Sequence, residues 1–348
     1  MFRDELRYFS QVRSIVWMSE RATRALGDLL SSEPVVVSSA RELIDARRDD
    51  KTVSFVDSST IAALDQAAAD VDLPLGQLGP VIAICSEPLH GAIGWLSSRP
   101  WLSHVVSASI LQHPMAPLHF ANVMLTLTGG SHPRLLDWVG PSLAGRRVRL
   151  SQSSSRAQRL ERMSEFFDSK GVGSRTVELL RDAGEELLTN AFYDAPVEAG
   201  ALKQAISRTQ EVSLPDDSAC DMVYACHDDL AVVRVRDPFG SLTRTRLFEV
   251  LTRCARTDMA VEVDETRGGA GLGLWRIFSA ASFVAIAVVR GRYTEFLVGI
   301  AKRVAAVPRP FGVHLFFNEH GRSTRRWRLL DSDSTKPSVN ESVTIVTK

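Results

Sequence analysis

Cysteine is scarce in this chain. Only four occur, at Cys85, Cys220, Cys226 and Cys254, and no two form a CxxC pair. That excludes a disulfide framework and a cysteine-based zinc site, and it makes reduced thiols the default. Long apolar runs are missing too. The longest, Ala280 to Val289, ends in Arg290 and is too short to span a bilayer. Charge of one sign is absent: 41 basic residues balance 41 acidic ones. A basic footprint for nucleic acid is therefore excluded. The opening Met1-Phe2-Arg3-Asp4-Glu5 is charged and lacks the apolar core of a secretory leader. The reading is a soluble, cytoplasmic protein with no nucleic-acid or membrane partner.

What is present is ordinary globular composition, 45% hydrophobic and 24% charged over 348 residues. At a soft prior of ~150 residues per domain, that length holds about two domains.

Residues 1–130 alternate short apolar runs with amphipathic segments. The runs are Ser14–Met18, Pro34–Val37, Thr52–Val56, Val81–Cys85 and His104–Val106. Helical spacing follows each, over Arg21–Leu30, Arg41–Arg48, Ile61–Ala69, Leu89–Leu96 and Pro117–Leu127. Continuous apolar strands between helices predict a parallel sheet covered on both faces, a doubly wound (βα)5 fold. Asp57 ends the third strand and Ser86 the fourth, where open α/β sheets build sites. In count, length and these two positions the segment resembles a response-regulator receiver domain. That resemblance makes Asp57 the candidate phospho-acceptor. The first strand ends in Met18-Ser19-Glu20, with one carboxylate in place of an acidic pair, and the fifth offers no lysine. Such a site holds Mg²⁺ poorly. The reading is a degenerate, pseudo-receiver domain used for partner binding or dimerisation, with Asp57 as a strand-end or capping residue.

Residues 131–157 carry the glycine, proline and serine of a linker, including Gly140-Pro141, Gly145 and Ser151 to Ser155. No histidine in the first half is followed by Glu or Asp, so self-phosphorylation on histidine has no support.

Three patterns follow in order. Thr176 to Ala195 reads as one helix stopped by Pro196, with Glu186 and Asn190 four apart on one face and Asp194 extending the stripe. Met222–His227 and Leu230–Arg236 read as strands joined at Asp228-Asp229, the second ending in Asp237-Pro238-Phe239-Gly240. Gly269, Gly271 and Gly273 then alternate before the apolar run Trp275–Phe278. Glycine lets backbone approach a bulky ligand, and the following helix start suits a phosphate.

An acidic-plus-Asn helix, a strand ending in Asp and a Gly-rich loop into a helix, over roughly residues 155–303, resemble the GHKL ATPase superfamily. The resemblance implies an α/β sandwich with a mixed sheet that binds ATP and Mg²⁺. It implies Glu186 as general base, Asn190 as the Mg²⁺ ligand and Asp237 as the reader of adenine. Asn190, Asp194, Asp237, Gly240, Gly269, Gly271 and Gly273 form the expected nucleotide site. Glu186-x-x-x-Asn190 is similar to the anti-sigma serine-kinase pattern. The usual Asp-x-Gly-x-Gly is altered here, with Gly240 out of register by one.

The expected organisation is a receiver-like domain at 1–130, a linker at 131–157, a GHKL domain at 158–303, and a hairpin extension and tail at 304–348. The hairpin is read from Val313–Phe317 and Arg326–Leu329, and Val343–Val346 offers an edge strand. The expected function is signalling through Mg·ATP, as a Ser/Thr protein kinase or an ATPase switch acting on partner signalling proteins. The alternative is a non-catalytic nucleotide-sensing or scaffold module. Superfamily members commonly act as homodimers, although no dimer helix can be pointed to here.

Overall fold

The computed structural model describes residues 12–30, 32–46, 52–70, 79–128, 135, 138, 144–202, 206–227, 229–256, 272–303, 310–318 and 344–346. The chain divides into two compact units, Met1–Pro133 with Val307–Leu315, and Arg134–Ala306 with Phe316–Lys348.

The first unit alternates strand and helix as the periodicity predicts. It runs β1 (Arg13–Trp17), α1 (Glu20–Gly27), β2 (Val35–Val36), α2 (Ala40–Ala46), β3 (Thr52–Asp57), α3 (Ile61–Asp70), β4 (Val81–Cys85), α4 (Leu89–Ser98), β5 (His104–Ser107) and α5 (Ala116–Thr128). The five strands pair in parallel in the order 2-1-3-4-5. That is a doubly wound order. Every residue of β3 and β4 is buried, because a central strand of a parallel sheet is covered on both faces. Each such Val, Ile or Phe contributes roughly 1.5–3 kcal/mol by leaving water.

The second unit begins in residues that composition reads as linker. Residues 144–150 form β6 (Ala144–Leu150), and a short 3-10 turn leads into α6 (Arg156–Ser169). Then come α7 (Ser174–Thr189), a π-helical turn at Asn190–Asp194, α8 (Ala195–Glu198), β7 (Glu211–Ser213), β8 (Cys220–His227), β9 (Leu230–Asp237), α9 (Arg244–Arg256), α10 (Leu272–Ala280), β10 (Phe283–Val289) and β11 (Tyr293–Ala301). The pairs β6–β8, β8–β9, β9–β11 and β11–β10 are antiparallel. The chain is thus α/β with both parallel and antiparallel pairing.

Two later strands complete the picture. In β12 (Gly312–Asn318), Gly312–His314 pair antiparallel with His104–Val106 of β5. The first unit therefore gains a sixth strand from the far end of the chain. Finally β13 (Thr344–Val346) pairs antiparallel with β7, as the apolar Val343–Val346 run allows. The second arm of the expected hairpin, Arg326–Leu329, lies outside the described residues.

The first unit buries three histidines where β12 joins it. His314 and His119 approach at 2.9 Å between their Nε2 atoms, and His104 stacks on His314. Burial pushes His119 down to about 3. Burial, and then the neighbouring His119 and His104, hold His314 well below the ordinary histidine value.

Candidate functional site

The second unit is built around α7. Its apolar stripe, Val177, Leu180, Ala183, Leu187 and Leu188, is buried at helical spacing. Gly184 faces Leu160 of α6 and Met222 of β8 so closely that an added Cβ would lie 2.7 Å from Leu160 Cδ2. The missing side chain seats α7 tightly on α6 and the sheet.

With α7 held on that face, the polar stripe follows from the turn of the helix. Glu186 is half-buried and Glu185 beside it is exposed. Beyond Thr189 the helix does not stop at Pro196. It loosens into a π-helical turn over Asn190–Asp194, and Pro196 sits in the first turn of α8. Proline is tolerated there because its missing N–H has no intrahelical partner anyway. A π turn inserts a residue into the ladder and re-aims the side chains that follow; such turns recur at functional sites.

The structure brings two of the three patterns together. Gly273, in the first turn of α10, lies directly against the Glu186 carboxyl: a Cβ there would overlap Glu186 Oε2. Gly269 and Gly271, and Arg267 before them, lie outside the described residues.

The electrostatics of this corner are those of buried acids tempered by arginines. Burial raises Glu186 above the ordinary carboxylate range. The Arg208 guanidinium opposes that, Asp194 reinforces it, and a hydrogen bond with Asn190 opposes it. Asp194 is raised by burial and lowered by Arg208 and Arg246, with Arg208 Nη2 at 3.5 Å. Glu198 is likewise raised by burial, against Arg246 at 3.9 Å. Neither Arg208, Arg246 nor Glu198 carries a sequence signal. Arg208 sits in an irregular Ser207-Arg208-Thr209 turn. Arg208 also lines a cleft of about 490 Å³ with Arg156, Glu185, Tyr193 and Gln210.

Asp237 ends β9 on the face that α7 covers. Val235 pairs with Met222, which touches α7, and Asp237 lies two residues further along the same side. Its carboxylate is buried and accepts hydrogen bonds from Phe239 N–H at 2.9 Å and Gly240 N–H at 3.4 Å. Burial pushes it up to about 6, against the lowering effect of those donors and of Thr294. Gly240 adopts φ +59°, and its α-carbon is wedged against the β10–β11 connection. An added Cβ would lie 2.8 Å from Tyr293 N and would overlap the Val289 carbonyl. So Gly240 fixes the turn after Asp237 onto the sheet.

The opposite face of that sheet holds a buried charge network. Arg234 donates to Asp221 at 2.7 Å and to Glu295, and Arg147 donates to Asp221 at 2.8 Å. It ties β6, β8, β9 and β11 together.

In the first unit, Asp57 is buried at the end of β3. Oδ2 accepts Ser19 N–H at 2.8 Å; Oδ1 accepts Ser59 N–H at 3.0 Å and Ser59 Oγ–H at 2.6 Å. Burial alone would raise this acid, but the Ser59 and Ser19 donors outweigh it and hold it below its ordinary value. Ser86 N–H donates to Ser58 Oγ at the end of β4.

Among the described residues, no group of three or more His, Cys, Asp or Glu side chains is arranged to hold a metal. No helix among them is long and apolar enough to cross a membrane. No protein-family model and no curated protein matches the chain.

Proposed function

We propose that the second unit is a GHKL-type module that binds Mg·ATP, and that it acts on a partner signalling protein as a Ser/Thr kinase or as an ATPase switch. The observation that carries this reading is the contact of Glu186 with Gly273. The acidic helix and the head of the glycine-led helix meet at one place, and Asp237 lies buried on the same side of the sheet.

The donor set fits the cofactor. Asn190 and Asp194 offer hard oxygens beside Glu186, and Mg²⁺ commonly takes only one or two protein ligands together with substrate phosphates. Bound Mg²⁺ supplies charge neutralisation on the phosphates. Asn190 would hold that ion. Glu186, its carboxyl raised above the ordinary value by burial, would be the base that accepts a proton from an attacking hydroxyl or water. Asp237, steadied by Phe239 and Gly240 N–H and by Thr294, would be the acceptor that meets an exocyclic amine. The first unit would regulate this module, in a cytoplasmic protein able to form a homodimer.

A calorimetric titration of the purified chain with Mg·ATP, beside Asp237→Asn, tests the reading. Micromolar binding lost in the variant supports it. No binding by the wild type defeats it.

One observation favours a second reading, a nucleotide-sensing module without turnover. The turn after Asp237 is clamped by Gly240 onto β10–β11. Binding without hydrolysis or transfer, unchanged in Glu186→Ala, would select it.

A further inference from the structure

One rim of the second unit's sheet is basic and lacks a neighbouring strand. Among the described strands β6 pairs only with β8, so its other edge offers N–H and C=O groups that no strand meets. On the face that α6 covers, Arg146 of β6 stands opposite Tyr224 of β8. Phe166 of α6 packs edge-on against the Tyr224 ring, with centroids 5.2 Å apart. Arg162 and Arg159 lie one and two turns before Phe166 on the same side of the helix. Burial raises the Tyr224 hydroxyl, the cations Arg146, Arg159 and Arg162 oppose that, and Glu165 reinforces it. Three guanidiniums and one acid thus surround this phenol. Lys170, just past α6, continues the row, its Nζ 5.9 Å from the centre of the Phe166 ring.

These cations lack acidic partners. Arg147 and Arg156, on the same two elements, pair with Asp221 and Glu185. Among the described residues, Arg146, Arg159 and Arg162 form no ion pair. Arg146 reaches only the adjacent Gly145 carbonyl, at 3.5 Å, and the buried Nε of Arg159 meets no acceptor among the described residues. Buried donors are normally satisfied, so an acceptor from another molecule fits here.

The edge and the charges run side by side. At ~3.4 Å per residue, β6 offers about 20 Å of backbone. At ~1.5 Å per residue, the row from Arg159 to Lys170 spans about 16 Å of α6. A chain laid along β6 turns alternate side chains, ~6.8 Å apart, toward the α6 face. A second copy pairing edge to edge would set arginine against arginine, which is unfavourable. A nucleic-acid strand would meet the charges but leave the backbone edge unused.

We propose that β6 accepts an acidic, extended segment of a partner protein as an added strand, its alternate carboxylates on Arg146, Arg159 and Arg162, whether or not the unit also binds nucleotide. Main-chain hydrogen bonds would give affinity and the arginine row would give specificity.

The test uses the full chain and a fluorescent heptapeptide in which glutamate and threonine alternate, followed by anisotropy. The expected result is saturable binding that weakens as salt rises. The lysine–threonine counterpart should not bind. Arg146→Glu with Arg162→Glu should weaken binding at least about tenfold, since each exposed pair is worth up to about fivefold and reversal adds repulsion. Both residues are exposed, so the double variant keeps the fold, which circular dichroism checks. Two further peptides carry N-methyl groups on the glutamates or on the threonines. Only one set of amides faces β6, so one methylated peptide should lose binding and the other keep it. Absence of binding at millimolar peptide would overturn the proposal, as would binding that the double variant leaves intact. Equal binding by both methylated peptides would rule out an added strand. An oligothymidylate that binds as tightly, and is lost in the same variant, would make this a general polyanion surface and also overturn it.

Discussion

The Glu186 carboxyl rests on the α-carbon of Gly273, leaving no room for even a methyl group. The two residues belong to helices that meet only in the folded chain, so the contact reports whether the site is assembled. In Gly273→Ala the new Cβ must displace Glu186 or tilt α10. Overpacking of this kind costs about 1–3 kcal/mol. Urea denaturation should show that loss, and Mg·ATP binding should weaken with it. In the Gly273→Ala, Glu186→Ala double variant the clash is gone. Stability should return toward the wild type, a coupling that a thermodynamic cycle measures. Strict additivity of the two substitutions would show that the contact is not tight.

Much of this corner could be read from the residues. The four-residue spacing of Glu186 and Asn190 follows from helix geometry, and the strand ending at Asp237 from its β-branched run. The central strands β3 and β4 are apolar throughout because both faces are covered, so they stand out without any alternation. Other features left no local trace. The strand at 144–150 is Ala-Gly-Arg-Arg-Val-Arg-Leu, whose arginines satisfy partners across the sheet, such as Asp221. Composition therefore reads it as loop. Pro196 looks like a helix stop because proline lacks a donor, yet the π turn before it supplies a fresh helix start. Arg208 and the return of β12 to β5 are tertiary events between distant segments.

Asp237 gives stability and binding opposite signs. Its carboxyl sits at about 6 in the fold, above the ordinary aspartate value. The native state therefore binds the proton more tightly than the unfolded chain. The favourable contribution is fully present below about pH 4 and is lost as pH rises to about 6. Asp237→Asn removes the buried charge and keeps an acceptor. It should flatten the stability profile between about pH 4 and pH 6 and raise stability at pH 7.5 by roughly 1–2 kcal/mol. The same variant should lose nucleotide binding. A profile unchanged by the substitution would mean that Asp237 does not carry the shift.

Gly240 and Gly291 separate crowding from backbone strain. Both have positive φ, +59° and +70°. A Cβ on Gly291 meets nothing within 4 Å, whereas one on Gly240 strikes the Val289 carbonyl. Gly291→Ala should therefore cost only the left-handed strain, roughly 1–2 kcal/mol. Gly240→Ala should cost clearly more, measured by the same urea midpoint, and should free the turn beneath Asp237. Equal losses would show that the β10–β11 connection yields easily.

The histidines of the first unit predict acid lability. His119 and His314 are held neutral by burial, with folded values far below 6.5. In the unfolded chain both take up protons as pH falls below about 6.5. Stability of this unit should fall from there downward, by up to ~2.7 kcal/mol per pH unit when both titrate. His119→Leu should roughly halve that slope, followed by circular dichroism across pH 4 to 7. Phe120, Gly312 and His314 are neighbours that the leucine must fit.

Arg234 is 2% exposed and Glu295 is equally buried, so neither charge can fall back on water. Removing one partner strands the other. Arg234→Met leaves Glu295 and Asp221 facing each other across β9, and Glu295→Gln leaves Arg234 with Asp221 alone. A broken buried pair costs about 3–5 kcal/mol, whereas replacing all members by apolar groups of similar volume can be neutral. Arg234→Met should thus be the most damaging single change on that face. Combining it with Asp221→Leu and Glu295→Leu should recover a large part of the loss. Asp221 also binds Arg147, which is mostly exposed and can return to solvent. If the triple variant were no more stable than Arg234→Met, the network would be contributing register between β8, β9 and β11, which an apolar patch cannot supply.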